Sequence, residues 1–387
     1  MKKKLLIVAD TMTKGGTEKV IVDTLKMLNY SRFDVTLLII QKIEEAKKNI
    51  AEIPDKVRIK YVFNKPLNHR YQILLYYILM FFPHKIMKKI LVKEDFDIIL
   101  TTRYIFAFPF STGKGYKVMW VHEGVGEENE NSIFGMIKKR YKKNTYRKFD
   151  QILLLTETAR IKFCQYYSLH KKCSVLSNPI NQKEIIQLSN EPITDFTFSN
   201  NLNMVCAARL SVEKGIDRLL DACAQLANNG FTFNLLILGD GPEQNKLKNM
   251  VLANSSLKDK VVFLGFKDNP YKYMRGCDIY VSPSRSESFS LAIAEAMVLG
   301  LPVLSTDCHG PREILDNGKY GLLVKNDNKN IYEGIKKLFM NPELIGYYRA
   351  KSKERKVIFS YEKNIKMLEN IISPEEDINS MDQKKII

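Results

Sequence analysis

Residues 279–305 read I-Y-V-S-P-S-R-S-E-S-F-S-L-A-I-A-E-A-M-V-L-G-L-P-V-L-S, and this stretch decides the fold. Two short apolar runs, at 279–281 and 302–305, flank an Ala-rich run with helical composition. Short buried strands that alternate with helices are typical of a parallel sheet covered by helices. The stretch therefore predicts a strand, a loop, a helix and a second strand of an α/β domain.

The same stretch contains two carboxylates that are candidates for a ligand site. Glu287 lies in a Ser-rich segment that can cap the helix, and Glu295 lies two turns further along, among apolar side chains. A carboxylate is costly to bury without a partner, so a ligand that reaches both is one explanation. The alternative, that Glu295 merely faces solvent, is the more common outcome for an isolated pair with this spacing. The choice between a ligand-binding and a solvent-facing Glu295 depends on the other motifs in the chain.

The strand and helix pattern occurs twice along the chain. Apolar runs at 4–9, 35–40, 96–100, 117–121 and 151–155 predict parallel strands in the first half. The pattern restarts after the polar stretch 189–203, with runs at 204–208, 233–238 and 261–264. A length of 387 residues also favours two domains. We therefore predict two doubly wound α/β domains with a cleft between the carboxyl ends of their strands.

The domain boundaries follow from this pattern. Residues 1–180 form a predicted N-terminal domain, 181–203 a linker, and 204–360 a predicted C-terminal domain, while 361–387 form a helix followed by a polar tail. The N-terminal run ends at Asp10, too early for the apolar core of a signal peptide, and predicts a buried strand. The six cysteines form no C-x-x-C pair and are interpreted as reduced thiols of a cytosolic protein.

The formal charge of +17 is concentrated in the first half. Residues 1–150 contain 29 Lys and Arg against 16 Asp and Glu, whereas residues 151–387 contain 31 against 27. A positive field of this kind favours an anionic partner, either nucleic acid or a membrane surface. The basic runs lack an interleaved stacking motif, which argues against nucleic acid.

The segment 70–93 supports the membrane as that partner. It combines Tyr, Phe and aliphatic residues with flanking basic groups, and a second basic run follows at 138–148. Its apolar part is shorter than the roughly 20 residues needed to span a bilayer, but its composition suits a membrane interface. A core helix with a solvated basic edge is the alternative.

Three further motifs carry the chemistry of an anion or sugar site. Arg209 and Lys214 follow the first strand of the second half and precede a helix, where two cations can bind a diphosphate, although surface ion pairs explain such residues more often. Gly15 and Gly16 let the backbone approach a ligand near a helix N-terminus. His122 follows the strand at 117–121 and can donate to a sugar hydroxyl or a developing negative charge. It has no second His at the spacing of a zinc site.

Together these motifs resemble retaining glycosyltransferases of the GT-B fold, specifically the GT4 family. The residues that carry the resemblance, from about residue 4 to about 370, are Gly15-Gly16, His122, Asn178-Pro179, Arg209-x4-Lys214, Gly239-Asp240-Gly241, Glu287-x7-Glu295 and the loop 306–314. The resemblance implies two Rossmann-like doubly wound domains that face a central cleft. It also implies that residues 1–180 bind the acceptor, that residues 204–360 bind the nucleotide sugar, and that the helix within 361–387 returns toward the N-terminal domain.

The resemblance also implies roles for individual residues. Arg209 and Lys214 would hold the nucleotide diphosphate and stabilise it as the leaving group. Glu295 would bind the ribose, and Glu287 would contact the donor sugar. The residues implied as catalytic are Glu287, His122, Arg209 and Lys214. The residues implied to bind the donor are Gly15, Gly16, Arg209, Lys214, Gly239, Asp240, Glu287, Ser288, Phe289, Ser290, Leu291 and Glu295.

One departure from the family affects the donor sugar. Many relatives have Gly where this chain has Ser288 and Ser290, so the serine hydroxyls would narrow the sugar pocket. No isolated D-x-D motif is present, and cations with helix ends would neutralise the leaving group without a metal. We therefore expect no metal and no cofactor beside the nucleotide-sugar substrate.

The expected function is that of a metal-independent retaining glycosyltransferase. It would move a hexose or N-acetylhexosamine from a nucleotide-diphosphate sugar, with UDP preferred, to a glycan linked to a polyprenyl diphosphate. Such acceptors belong to bacterial capsule, O-antigen or related polysaccharide assembly, which implies a cytoplasmic protein at the inner face of the cell membrane. Two alternatives stay open: a nucleotide-sugar 2-epimerase of similar fold, and a non-catalytic protein that binds membranes or polyanions.

Overall fold

The computed structural model describes residues 1–13, 15–122 and 133–374, and the chain forms two compact units. The first unit comprises Met1–Leu155, Arg160–Pro179 and the chain from Glu362 onward. The second comprises Thr156–Ala159 and Ile180–Tyr361. Most of the polar tail, from residue 375 onward, lies outside the described residues.

Each unit is built on one parallel sheet. The strands of the first sheet are β1 (Lys3–Ala9), β2 (Phe33–Gln41), β3 (Arg58–Phe63), β4 (Ile98–Thr101), β5 (Tyr116–Val121), β6 (Gln151–Leu154) and β7 (Cys173–Val175). The strands of the second sheet are β8 (Leu202–Ala207), β9 (Phe233–Leu238), β10 (Val261–Gly265), β11 (Ile279–Ser282), β12 (Val303–Thr306) and β13 (Leu322–Val324).

Helices connect the strands. Within the described residues they are α1 (Gly16–Met27), α2 (Lys47–Ala51), α3 (His69–Phe81), α4 (His84–Leu91), α5 (Tyr104–Phe110), α6 (Ile133–Tyr146), α7 (Glu157–Tyr167), α8 (Gln182–Ser189), α9 (Ile216–Asn228), α10 (Gln244–Leu252), α11 (Tyr271–Arg275), α12 (Leu291–Val298), α13 (His309–Ile314), α14 (Asn328–Met340), α15 (Pro342–Arg355) and α16 (Tyr361–Ile372). None of them is long and apolar enough to cross a membrane.

The strand order places functional loops side by side. The first sheet has the order β3-β2-β1-β4-β5-β6-β7, and the second has the order β10-β9-β8-β11-β12-β13. In each sheet the order reverses next to the first strand, between β1 and β4 and between β8 and β11. Ligands of such sheets bind outside the carboxyl ends of the strands at this reversal. The loops after β1, β4, β8 and β11 are therefore where a ligand is expected to bind.

Buried apolar side chains fill the space between sheets and helices. The central strands are buried on both faces, with β4 and β11 buried at every position. Helix α9 supplies one face to the second core, where Leu219, Leu220 and Cys223 pack against residues of β8 and β9. Amphipathic helices of this kind owe most of their stability to such packing.

The structure contains elements that the sequence pattern did not predict. Strands β3, β7 and β13 lie at or next to sheet edges and add to the runs identified above. Residues 181–203, expected as a linker, include helix α8, whose Ile185 is buried in the second unit. The segment 70–93 forms two helices, α3 and α4, with Pro83 between them.

The last described helix completes the first unit. In α16, Glu369 Oε1 accepts a hydrogen bond from the backbone N–H of Asn29 at 2.6 Å. Arg32 Nη2 donates to the carbonyl oxygen of Ser373 at 3.1 Å. The first unit is therefore assembled from both ends of the described chain.

Candidate functional site

The most informative contact lies at the carboxyl edge of the second sheet. Lys214 ends a short 3-10 turn after β8, and its Nζ donates to Glu287 Oε2, in the loop after β11, at 2.6 Å. Gly215 follows with a φ of 66°, and a Cβ there would lie 2.2 Å from the carbonyl oxygen of Pro283. The two loops thus meet at a position that only glycine can occupy without displacing backbone.

The Lys214–Glu287 ion pair is partly buried and still accessible to a ligand. The two side chains are 23% and 15% exposed. Within the described residues Glu287 is the partner found for the ammonium group, which carries three N–H donors. Lys214 can therefore keep its contact with Glu287 and donate to a bound anion as well.

Arg209 provides a second cation at the same edge. Its side chain is exposed, and no described carboxylate lies within ion-pair distance of its guanidinium group. The backbone beside it is firmly held, because Leu210 N–H donates to the carbonyl oxygen of Asp240 at 2.7 Å. Gly239 has a φ of 129°, and a Cβ there would lie 2.0 Å from the carbonyl oxygen of Ala208. The loops after β8 and β9 are thus packed backbone against backbone.

Helix α12 holds the second carboxylate of the pair. Ser290 Oγ caps this helix by accepting from the N–H of Ile293 at 3.4 Å. Glu295 is only 7% exposed, and its Oε1 accepts a hydrogen bond from the Tyr271 hydroxyl at 2.9 Å. The interpretation that Glu295 faces solvent is therefore wrong. Its burial requires polar partners, and Tyr271 is one that the sequence pattern did not reveal.

A glycine in α13 fixes the segment that follows Glu287. Gly310 N–H donates to the carbonyl oxygen of Glu287 at 3.1 Å. A Cβ at Gly310 would lie 2.7 Å from the backbone of Ser288 and Phe289. Phe289 is buried, whereas Ser288 and Leu291, the first residue of α12, are partly exposed. The backbone of residues 287–289, near the predicted sugar-binding residues, is thus packed against the start of α13.

Two arginines, Arg218 and Arg285, connect α9 to the loop after β11. Arg218, which is buried, donates through Nη2 to the carbonyl oxygen of Pro283 at 2.5 Å. Arg285 makes a bidentate pair with Asp217 at 2.7 and 2.6 Å, which holds the pKa of Asp217 below its usual value. These contacts join the loop after β11 to the N-terminal turn of α9.

The first unit places a different cluster at the carboxyl edge of its own sheet. Arg103, after β4, lies between two carboxylates, 3.6 Å from Asp10 Oδ2 and 3.3 Å from Glu18 Oε1. A Cβ at Gly15, the N-cap of α1, would lie 2.2 Å from Glu18 Oε2. The carboxylate of Glu18 thus already lies at the N-terminus of α1, which begins at Gly16, and offsets its positive end. Burial raises the pKa of Asp10, and Arg103 opposes that shift.

His122 lies directly after β5, at the same edge of the first sheet. Its ring centroid is 4.9 Å from that of Trp120. Its Nε2 is buried without a hydrogen-bond partner among the described residues, which omit 123–132. Burial lowers the pKa of His122 to about 3, with Arg103 contributing in the same direction. The imidazole is therefore neutral near pH 7 and can donate one proton in a hydrogen bond.

The predicted site residues thus form two groups. The second unit brings together Arg209, Lys214, Gly239, Asp240, Glu287, Ser288, Phe289, Ser290, Leu291 and Glu295. The first unit places Gly15 and Gly16, at the start of α1, and His122, directly after β5, at the carboxyl edge of its sheet. Their catalytic and binding roles stay predictions. Among residues 1–13, 15–122 and 133–374 no group of three or more His, Cys, Asp or Glu side chains is arranged to hold a metal. Metal independence also stays a prediction.

Known sequences match this chain over much of its length. The profile described as "Glycosyl transferases group 1" matches residues 196–355. A glycosyltransferase of Methanocaldococcus jannaschii is 30% identical over 291 residues, which cover 72% of this chain and 76% of that protein. The Campylobacter jejuni N-acetylgalactosamine-N,N'-diacetylbacillosaminyl-diphospho-undecaprenol 4-alpha-N-acetylgalactosaminyltransferase is 30% identical over 233 residues, covering 59% of this chain but only 62% of that enzyme.

Solved structures match the whole fold. Anabaena HepE in complex with UDP has a TM-score of 0.74 at 17% identity and covers 97% of this chain and 100% of that one. Sucrose-phosphate synthase from Thermosynechococcus elongatus has a TM-score of 0.77 at 17% identity, covering 96% and 98%. At these identities the likeness establishes the fold, which is GT-B as the motifs implied. With the sequence matches, it shows that the chain belongs to the group 1 glycosyltransferase family.

Proposed function

We propose that this protein is a retaining, metal-independent glycosyltransferase of the GT4 type. It transfers a hexose or N-acetylhexosamine from a nucleotide-diphosphate sugar, with UDP as the preferred nucleotide, to a lipid-linked saccharide. The observation that carries the proposal is the Lys214–Glu287 pair at the reversal of the second sheet, with Arg209 exposed beside it.

The two cations suit the departure of a nucleoside diphosphate. When the bond between the sugar carbon and the diphosphate oxygen breaks, both bonding electrons stay on the diphosphate. Fixed positive groups lower the cost of that charge most when they are already oriented before the reaction. The loop around Lys214 is oriented by Gly215 and Pro283, and the backbone beside Arg209 by its hydrogen bond to Asp240. Lys214 and Arg209 are therefore assigned to the leaving group.

The two glutamates have separate tasks in this proposal. Glu295, held by Tyr271, accepts hydrogen bonds from the ribose hydroxyls. Glu287 contacts the donor sugar, helped by the backbone of Ser288, Phe289, Ser290 and Leu291. Since Glu287 also contacts Lys214, it couples the position of the sugar to that of the diphosphate.

The first unit contributes His122 and the loop of Gly15 and Gly16 in this proposal. Because the pKa of His122 is about 3, the imidazole acts as a neutral hydrogen-bond donor to the sugar and not as a cation. Arg103, which was not among the residues predicted from the sequence, positions the carboxylates of Asp10 and Glu18 in this proposal.

The comparisons support the acceptor class. The name of the Campylobacter relative specifies a diphospho-undecaprenol acceptor and an α-linked N-acetylgalactosaminyl transfer. A second relative, from Salmonella typhimurium, is a putative colanic acid biosynthesis glycosyltransferase, 34% identical over 135 residues. From these two relatives we infer that the acceptor of this protein is a polyprenyl-linked saccharide of capsule, O-antigen or related polysaccharide assembly. The proposed location is the cytoplasmic face of the membrane, with no nucleic-acid partner.

The proposal is tested by measuring nucleotide release with purified protein. UDP-, GDP- and ADP-sugars are supplied with and without a polyprenyl-diphosphate saccharide, in the presence of EDTA. We expect release of UDP that depends on the acceptor, survives EDTA and yields an α-linked product. Conversion of the donor to a 2-epimer without acceptor would identify an epimerase instead. If no donor is bound or consumed, the binding-protein alternative replaces the enzyme.

A further inference from the structure

Helices α3, α4 and α6 of the first unit form one surface, which we name the α3–α4–α6 face. The Phe81 and Tyr141 rings, from α3 and α6, lie 5.7 Å apart between centroids. His84 Nε2, in α4, lies 3.0 Å from the Tyr141 hydroxyl oxygen. These contacts join the three helices near the junction between the end of α3 and the start of α4.

The inner sides of α3 and α4 account for only part of their apolar residues. Leu79, Met80 and Met87 are buried in the first unit. Seven large apolar side chains of this segment are between 45% and 63% exposed: Tyr71, Ile73, Leu74, Phe81, Phe82, Ile86 and Ile90. A helix that is apolar on both sides indicates a second apolar environment in addition to the core.

The charged residues of these three helices and of the chain directly beside them are all basic. Residues 64–93 contain six Lys and Arg, residues 133–149 contain seven, and neither range contains Asp or Glu. Lys85 and Lys89 are exposed beside Ile86 and Ile90 on α4, and Arg140 is exposed on α6. Exposed cations next to exposed aliphatic and aromatic groups match the boundary between anionic headgroups and acyl chains.

Other occupants fit this pattern less well. A second copy of the chain would bring the same positive charges to the contact, which opposes self-association. A soluble polyanion would satisfy the lysines but would leave Ile86 and Ile90 in water. A helix the length of α3, with 13 residues, is too short to cross the roughly 30 Å apolar core of a bilayer. It can lie in the plane of the interface.

We propose that the α3–α4–α6 face docks the protein on an anionic lipid bilayer. The elbow Phe81-Phe82-Pro83 and the side chains of Ile86 and Ile90 enter the headgroup boundary, while Lys85 and Lys89 pair with lipid phosphates. The inference rests on the proposed function in one respect: a lipid-linked acceptor lies in the membrane, so the enzyme has to reach it there. Its physical basis, the exposed apolar side chains and their cations, is independent of the transfer reaction.

The test is flotation of the full-length protein with vesicles that contain neither donor nor acceptor. Vesicles of phosphatidylcholine alone are compared with vesicles that also contain phosphatidylglycerol. We expect binding to the anionic vesicles that weakens with added salt. Loss of about two lysine contacts in Lys85→Ser/Lys89→Ser should weaken it by about tenfold or more. Ile86→Ser/Ile90→Ser should weaken it by about tenfold or more, through lost apolar insertion.

Matched variants on the second unit control for general changes in charge or apolar surface. Leu252 and Met340 are 70% and 64% exposed, and Lys248 and Lys329 are exposed as well. Leu252→Ser/Met340→Ser and Lys248→Ser/Lys329→Ser should leave flotation unchanged. Wild-type protein that ignores anionic vesicles would overturn the proposal. So would an Ile86→Ser/Ile90→Ser variant that floats like wild type, because the face would then be a general polyanion site. Neither result bears on UDP release, which tests the transfer reaction separately.

Discussion

The two units share a parallel sheet with reversed strand order, but the cations at their carboxyl edges have opposite surroundings. In the second unit Lys214 pairs with one carboxylate, Glu287, and Arg209 adds a further positive charge. In the first unit Arg103 lies between two carboxylates, those of Asp10 and Glu18. The topology places a loop cluster at the same edge in both, and the loop residues decide which edge attracts an anion.

The largest expected effect is on catalysis at the positive edge. Lys214→Ala should lower kcat/KM for the donor by about 10²–10³-fold, as for loss of one oriented group that stabilises transition-state charge. Steady-state UDP release measures it, with Lys248→Ala as a control on the same unit. Arg103→Ala should cost less, because its charge is already offset by two carboxylates. A greater loss in Arg103→Ala than in Lys214→Ala would reverse the comparison.

The next effect concerns the rigidity of the positive edge. Gly239→Ala should destabilise the protein by about 3 kcal/mol or more, because it combines an unfavourable φ with a Cβ that collides with backbone. Gly230→Ala is the matched control, since its φ is 81° but nothing lies within 4 Å of the added Cβ. It should cost only about 1–2 kcal/mol. Thermal or urea unfolding measures the stability of both variants. Equal decreases in the free energy of unfolding would show that the contact of the added Cβ with Ala208 does not affect stability.

A pH effect of similar size is expected at the edge of the first unit. Burial lowers the pKa of His122 from 6.5 to about 3, so protons bind the unfolded chain more readily than the folded one. This difference in proton binding has no effect on the free energy of unfolding above pH 6.5, and it lowers that free energy increasingly as the pH falls toward 3. By pH 4 it should have decreased by about 3 kcal/mol, at 1.36 kcal/mol per pKa unit. His122→Gln should remove this component from the acid dependence of unfolding. Identical acid profiles for the two proteins would contradict the low pKa.

The smallest effect is expected from the partner of the buried glutamate. Tyr271→Phe removes the hydroxyl that donates to Glu295, a loss of about 1 kcal/mol or roughly a fivefold rise in donor KM. Little change in kcat is expected, because the ribose does not react. Tyr273→Phe serves as the control, since its hydroxyl bonds Asp195 at 2.6 Å and not Glu295. An effect on kcat alone would place Tyr271 in a different role.

The sequence predicted the central strands because they are continuous apolar runs. The missed strand β3 reads R-I-K-Y-V-F, in which Arg58 and Lys60 interrupt the apolar run, and it lies at an edge of the sheet. Strands β7 and β13 have three residues each and give no readable period. Helix α8 was hidden within a polar stretch, and its docking depends on partners far along the chain.

The candidate site was partly readable for a similar reason. Glu287, Arg209, Lys214 and His122 lie in the segments that follow predicted strands, so their positions can be inferred from the sequence. Arg103 follows β4 as His122 follows β5, and the same rule applied to every strand end would have identified it. Tyr271 gave no signal, because it meets Glu295 only through tertiary packing.

The return of α16 to the first unit has a consequence for synthesis. Asn29 and Arg32 lie near the start of the chain, and their partners Glu369 and Ser373 lie near the end of the described residues. A ribosome makes the whole second unit between them. The second unit can therefore complete its fold while the first still lacks a helix, and the unit begun first is finished last. Early termination near residue 360 would leave the second unit nearly complete, whereas the first unit would lack α16 and expose part of its core.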